Sequence, residues 1–213
     1  MASSTDIAFS PAVKSVQERR GSRAAYARVE QKGGWATTLD PSLAGFIAEM
    51  RSFYLATASK DGQPYVQHRG GPPGFLRVLD DKTLAFADFA GNRQYITTGN
   101  LAENPRAMIF LMDYAHRRRV KIWGTARVVE NDAELNARLF PEGYKARVDA
   151  VILFTIEAWD ANCPQHIPQM LFADDVAQSV DALKDRIGEL EAENARLREA
   201  ASYSSTLAEG QRQ

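Results

Sequence analysis

The chain has 213 residues, enough for one substantial domain with extensions. Its 45% apolar residues can build a core, and 26 basic against 27 acidic side chains leave a formal net charge of −1, a balance that argues against general nucleic-acid binding. The single cysteine, Cys163, allows no internal disulfide, the N-terminus has no apolar core behind a basic start, and no apolar run reaches the roughly 18 residues of a membrane helix, so the expectation is a cytoplasmic protein with no membrane contact.

Residues 1–38 are polar with a basic bias and read as a solvated N-terminal arm draped over a domain. A sharper alternative has one of its arginines reaching a phosphate across a dimer interface. Asp40-Pro41 is a helix start, an N-cap acceptor followed by the residue best tolerated at the first helical position. Leu43, Phe46, Ile47 and Met50 follow at helical spacing. The period then changes to that of strands. Phe53–Ala58 and Pro64–His68 flank an Asp61-Gly62 hairpin turn. Gly70–Gly74 breaks regular structure, and Phe75–Leu79 and Thr83–Phe89 read as further strands around an Asp80–Lys82 turn. A short helix lies between Gly91 and Pro105. Arg106–Tyr114 and Val120–Val129 are strands, Asp132–Leu139 a helix, and Ala150–Trp159 a last long strand. About seven strands with short helices between them predict a mainly β (α+β) fold, an antiparallel barrel rather than a doubly wound sheet.

The C-terminal stretch carries a different pattern. Val176, Val180, Leu183, Ile187, Leu190, Asn194 and Leu197 are spaced by alternating steps of three and four, a heptad seam. With Val180, Ile187 and Asn194 at a, Leu183, Leu190 and Leu197 fall at d. Arg186 at g would face Glu191 at e of a partner helix, and Glu193 would face Arg198. The expected organisation is an arm over 1–38, a barrel domain over 39–172, a coiled-coil helix over 173–200 and a disordered tail over 201–213. The competing reading of the seam is an amphipathic helix folded on its own domain.

No catalytic triad assembles from these residues, and His68, His116 and His166 are the only histidines. Cys163 and His166 are the sole Cys/His pair at short spacing, too few ligands for a zinc site, so no metal is expected. What stands out is cationic side chains at strand ends and turns: His68-Arg69, Lys82, Arg93 and His116–Arg119. Arg93 reads as lying at the start of the short helix, where free N–H groups and the dipole favour a phosphate. Brought together, this set would hold a phosphate-bearing ligand, since the guanidinium fork suits phosphate. Taken singly, each is as readily a surface charge beside a turn.

Several pieces carry a resemblance. These are the strand pair ending in Gln67-His68-Arg69-Gly70-Gly71; Phe86–Gln94, followed by Gly99-Asn100-Leu101 and Asn104-Pro105-Arg106; and Arg119–Ala126 with its Gly124-Thr125-Ala126 end. In this order they resemble the pyridoxamine 5′-phosphate oxidase-like FMN-binding split barrels. Cys163–Pro168 is similar to the C-terminal motif of a flavin-nucleotide-binding branch. The likeness covers roughly residues 40–170.

The resemblance implies an antiparallel split β-barrel that forms a homodimer with FMN at the subunit interface. It places Arg69 and Arg93 on the phosphate, His68 and Asn92 near it, and Asn100 at the ribityl chain or its loop. Gln94, Arg119, Cys163 and His166 would complete the cofactor set. His116 and Arg117 would stand by the flavin ring, where positive charge tunes its reduction. Lys82 would hold a second substrate. The chain departs from true pyridoxamine phosphate oxidases in lacking a C-terminal Arg-x-His pair, which moves the expectation away from vitamin B6 and towards an FMN-dependent oxidoreductase. This enzyme would take a hydride from NADH or NADPH and pass electrons to dioxygen, free flavin or another small acceptor. The alternatives are a non-catalytic flavin-binding or stress-associated module, and an oxidase of the pyridoxamine phosphate type.

Overall fold

A computed structural model describes residues 3–162 and 164–210. Seven antiparallel strands form one sheet in the order β2-β1-β5-β6-β7-β4-β3. Their ranges are β1 Ser52–Ala58, β2 Pro64–Gly70, β3 Arg77–Val78, β4 Thr83–Phe89, β5 Arg106–Asp113, β6 Arg118–Val129 and β7 Val148–Asn162. Strands β2 and β4 are separated by four others in the ladder, yet the side chains of Arg69 and Asp88 form an ion pair between them. The sheet therefore curls round until its two margins approach, as a split barrel requires. The predicted mainly β architecture holds.

The inward faces alternate as a barrel demands. Phe53 and Leu55, Leu84 and Phe86, Ile109 and Leu111, Ile122, and Ile152 and Phe154 are fully buried in one cluster. Helix α3 (Pro41–Glu49) adds Leu43, Phe46 and Ile47 to that cluster. It begins where its sequence says: Asp40 accepts a 2.7 Å bond from the Leu43 amide, and Pro41 follows. At Gly124 the β6–β7 register shifts, and a Cβ there would lie 1.9 Å from the Thr155 carbonyl oxygen. Only glycine lets the two backbones approach so closely. Helices α4 (Ile96–Glu103) and α5 (Ala133–Leu139) fill the connections into β5 and β7.

Two elements differ from the sequence reading. Phe75–Leu79 is not a full strand, because the Phe75 amide closes a turn onto the Pro72 carbonyl and only Arg77-Val78 pairs with β4. Phe75 and Leu76 are buried as plugs in the core rather than as ladder residues. The first 38 residues, expected as a solvated arm, fold into a 3-10 turn at Ser4–Ile7 and helices α1 (Pro11–Arg20) and α2 (Arg23–Gln31). Trp35 anchors them by stacking on Trp123 of β6, with ring centroids 4.7 Å apart and Lys121 over both rings. Ala36 bridges to Trp159, whose indole N–H donates to the Thr38 carbonyl.

The chain divides into two compact units, residues 1–167 and 168–213. Described by itself, the second is one helix, α6 (Ala173–Gly210), which runs on into the stretch read as a disordered tail. Among the described residues no helix is long and apolar enough to cross a membrane.

Candidate functional site

Alternation along β2 puts Tyr65, Gln67 and Arg69 on one face and Val66 and His68 on the other. The first face lines a cleft. Its opposite wall is Asp88 and Phe89 at the end of β4 with Asp149 of β7, and its rim is the loop Gly91–Tyr95 with the first turn of α4. The loop folds tightly because Arg93 and Tyr95 both take left-handed backbone conformations, at φ 60° and 53°. Non-glycine residues adopt these only where the surroundings enforce them. Helix α4 then starts at Ile96 without a side-chain cap, so the amides of Ile96, Thr97 and Thr98 begin a helix whose N-terminus borders the cleft. Arg93 lies in the loop ahead of this helix, not at its first turn as the sequence suggested.

The electrostatics centre on one buried pair. Arg69 and Asp88 have side chains only 12% and 14% exposed, and the carboxylate takes both terminal nitrogens of the guanidinium. Arg69 Nε is buried with no hydrogen-bond partner among the described residues. Burial holds the Asp88 carboxyl above its ordinary range, a shift that Arg69 opposes and neighbouring Asp149 reinforces. Thr97 donates to Gln67 Oε1 at 2.8 Å, and Asn92 and Gln94 bond each other across the exposed loop. Arg93 Nε donates to the Tyr95 hydroxyl at 3.2 Å.

Of the expected site residues, this cleft gathers Arg69, Asn92, Arg93 and Gln94. It does not gather the others. His68 turns to the opposite face of β2 and meets Tyr54 edge-on at 5.6 Å. On that face burial and the Tyr54 hydroxyl push the Tyr114 phenol up. Asn100 Nδ2 donates to Oγ1 of buried Thr57 at 3.0 Å, tying α4 to β1. Lys82 precedes β4, six residues from Asp88 and roughly 20 Å away along the strand.

His116 and Arg117 occupy the β5–β6 turn, with Arg117 at φ 54°. His116 Nδ1 lies 2.9 Å from Asp113 Oδ2, and Arg118 bonds the same oxygen. Asp113 is held below the ordinary carboxylate range by these partners and the His116 amide, against its desolvation. Arg119 Nε is buried with no hydrogen-bond partner among the described residues, and Arg119 lines a separate cavity of about 240 Å³ beside α3. The β6–β7 register sets Arg119 opposite Asn162, so the segment holding exposed His166 leaves the sheet there. Cys163 lies outside the described residues. A larger groove between the N-terminal turn and β1, β5 and β6 is lined by none of the expected residues. Among the described residues no cluster of three or more His, Cys, Asp or Glu is set to hold a metal ion.

Sequence reasoning missed Asp88, Asp149, Gln67, Thr97 and Thr98. Period-two alternation from Arg69 signals Gln67. A carboxylate between Phe86, Ala87 and Phe89 signals a buried ion pair, though its partner is non-local.

A curled antiparallel barrel, with a cleft that sets Arg69 and Arg93 beside Asp88 and Asp149 at a helix N-terminus, is the frame of a split barrel. Residues 39–163 match the family model described as pyridoxamine 5′-phosphate oxidase, and the chain belongs to that family. Flavin nucleotides are its common cofactors. Solved structures similar to this chain include HupZ of Group A Streptococcus, at 19% identity over 62% of this chain and 100% of that one, with TM-score 0.48. A candidate pyridoxamine 5′-phosphate oxidase of Lactobacillus delbrueckii matches at 22% identity over 59% and 95%, with TM-score 0.46. General Stress Protein 26 of Bacillus anthracis matches at 16% over 56% and 91%, with TM-score 0.43. No curated protein sequence matches.

Proposed function

We propose that this protein is an FMN-dependent oxidoreductase that draws reducing equivalents from NADH or NADPH and passes them to dioxygen, free flavin or another small acceptor. The observation that carries the reading is Arg69. Among the described residues its Nε is a buried donor without a partner, in a cleft where Arg93 and the amides and hydroxyls at a helix N-terminus share the lining with the carboxylates Asp88 and Asp149. A phosphoryl group answers that donor set. Arg69 Nε, the Thr97 and Thr98 amides, Gln94 and Arg93 would hold it, and Asp88 keeps the guanidinium plane fixed from the other edge.

FMN supplies two-electron redox chemistry; the protein supplies orientation and charge. Asp113, ionised and able only to accept, makes Nδ1 the protonated nitrogen of His116 and leaves Nε2 directed away from the pair. Arg117 then presents positive charge from the β5–β6 turn, with the His116 imidazole beside it. The cleft of one protomer encloses about 50 Å³, well below the roughly 300 Å³ at which small-molecule sites begin. A second copy completing the wall makes the working unit a homodimer.

The test is direct. The purified full-length protein should show the visible spectrum of bound flavin, and anaerobic NADH or NADPH should bleach it. Arg69→Ala should release the flavin, and His116→Ala should retain it but slow bleaching. Flavin that stays yellow with both nucleotides overturns the redox half and leaves a flavin-binding module. No flavin overturns the whole reading.

A further inference from the structure

Helix α6 runs from Ala173 to Gly210, and the apolar side chains of its first heptads are left in water. Val180, Leu183, Ile187, Leu190 and Leu197 are 41–63% exposed along one stripe. A long polar helix has no use for such a stripe unless something covers it, because a heptad seam supercoils against a matching seam. The stripe's geometry is narrow, only the a and d positions, and the remaining positions are charged or small. A globular core asks for a wider face than this.

We infer that α6 is one strand of a parallel, in-register, two-stranded coiled coil, and that its partner is α6 of a second copy of this chain. Three features choose that occupant. The a positions ahead of Asn194 are branched (Val180, Ile187) and the d positions after the first, Val176, are leucine (Leu183, Leu190, Leu197), the combination that favours two parallel strands.

The second feature is Asn194. In a parallel in-register pair the two Asn194 amides meet at the axis and bond each other. In an antiparallel pair each would face a leucine and be buried unsatisfied, which disfavours that pairing. In the lone helix Asn194 Nδ2 instead turns back to the Leu190 carbonyl at 3.1 Å.

Third, charge is complementary between copies: Arg186 of one helix faces Glu191 of the second, and Glu193 faces Arg198. In the lone helix Arg186 makes an exposed local bond to Glu189. This inference is independent of the flavin reading and adds a second dimer contact outside the barrel.

The experiment uses the full chain with its sole cysteine, Cys163, replaced by serine. Leu190→Cys places a thiol at d, and Ala192→Cys places one on the outer f position two residues away. In a glutathione redox buffer the d thiol should form a disulfide-linked dimer at least tenfold more readily than the f thiol. Adding Ile187→Asp to the Leu190→Cys chain should abolish the link by breaking the seam. No link at Leu190→Cys, or equal linking at both positions, overturns the parallel coil, whatever the flavin content. A seam folded back on its own domain or paired antiparallel gives the first of those outcomes.

Discussion

Replacing Asp88 by asparagine perturbs the cleft at the point where its charges compete. In the native chain the carboxylate holds both terminal nitrogens of Arg69, and a phosphoryl group on Nε would approach the same guanidinium from its other edge. At roughly 5 Å separation and an effective dielectric near 20, two unit charges repel by about 3 kcal/mol. Residual solvent screening reduces this to about half, and about 1.4 kcal/mol is a tenfold change in affinity. Asp88→Asn keeps an acceptor oxygen for Arg69 and removes the charge. It should therefore tighten FMN about tenfold at pH 7.5 and leave riboflavin, which has no phosphate, unchanged.

The pH dependence follows from the raised Asp88 carboxyl. As pH falls through that raised value the native side chain takes its proton, the repulsion disappears, and the advantage of the variant should shrink. Comparing the two proteins at each pH cancels the titration of the phosphate itself. The same shift fixes the sign for stability. Protonation favours the fold, so this contribution is full below the ordinary carboxylate value and lost as pH rises through the raised one. Asp88→Asn should accordingly unfold at no lower temperature than the native chain at neutral pH. Flavin fluorescence quenching measures the affinities. Equal FMN affinity at pH 7.5, or an equal gain for riboflavin, refutes the placement of the phosphate beside Asp88.

Other substitutions separate structural from ligand-binding roles. Gly124→Ala drives a Cβ into the Thr155 carbonyl oxygen, and it should destabilise by about 3 kcal/mol, roughly 6–12 °C in melting temperature. A shift under about 2 °C in a thermal melt would show that β6 can move aside. Asn100→Ala removes the bond to buried Thr57 and should cost about 1–2 kcal/mol, while FMN affinity stays within about twofold. A large loss of FMN affinity without a lower melting temperature would return Asn100 to the ribityl chain. Trp35→Ala removes the stack on Trp123 and the cation beside it, and trypsin should then cut at Arg28 and Lys32 several-fold faster. Unchanged digestion would mean that the other anchors suffice.

The sequence discloses those parts of the fold that are local. Asp40 caps α3 through a residue three positions on, and β1, β5 and β6 show their alternation within a few residues. Phe75–Leu79 misleads because an apolar run has the same composition whether it pairs in a ladder or plugs a core, and the Pro72–Phe75 turn decides between them. Residues 1–38 mislead differently. Their helices carry mostly polar side chains, and the anchor, Trp35 on Trp123, joins residues far apart in the chain. In the candidate site, Arg69, Asn92, Arg93 and Gln94 were legible as cations and turn residues. The separation of His68 from Arg69 was legible too, because adjacent residues on a strand cannot share a face. Asp88 could not be paired from sequence, since only the curl of the sheet brings β4 to β2.

That curl explains why the cleft is where it is. Margins of a split barrel approach without hydrogen-bonding, so the gap between β2 and β4 must be bridged by side chains. Here the bridge is an ion pair buried to about seven-eighths, with one guanidinium nitrogen unpartnered among the described residues. A pair of well-packed apolar residues would serve stability as well or better. Beside it, Arg93 and Tyr95 hold left-handed conformations that cost about 1–2 kcal/mol each in a residue with a side chain. Burial of charge, an unmet donor and a strained loop meet in this cleft, although Arg119 also has an unmet donor and Arg117, Asn131 and His166 also hold left-handed conformations elsewhere. Stability alone gives no reason for all three to meet there. A ligand that meets the free edge of Arg69 does, because it satisfies the donor and gives the strained loop a rim to form.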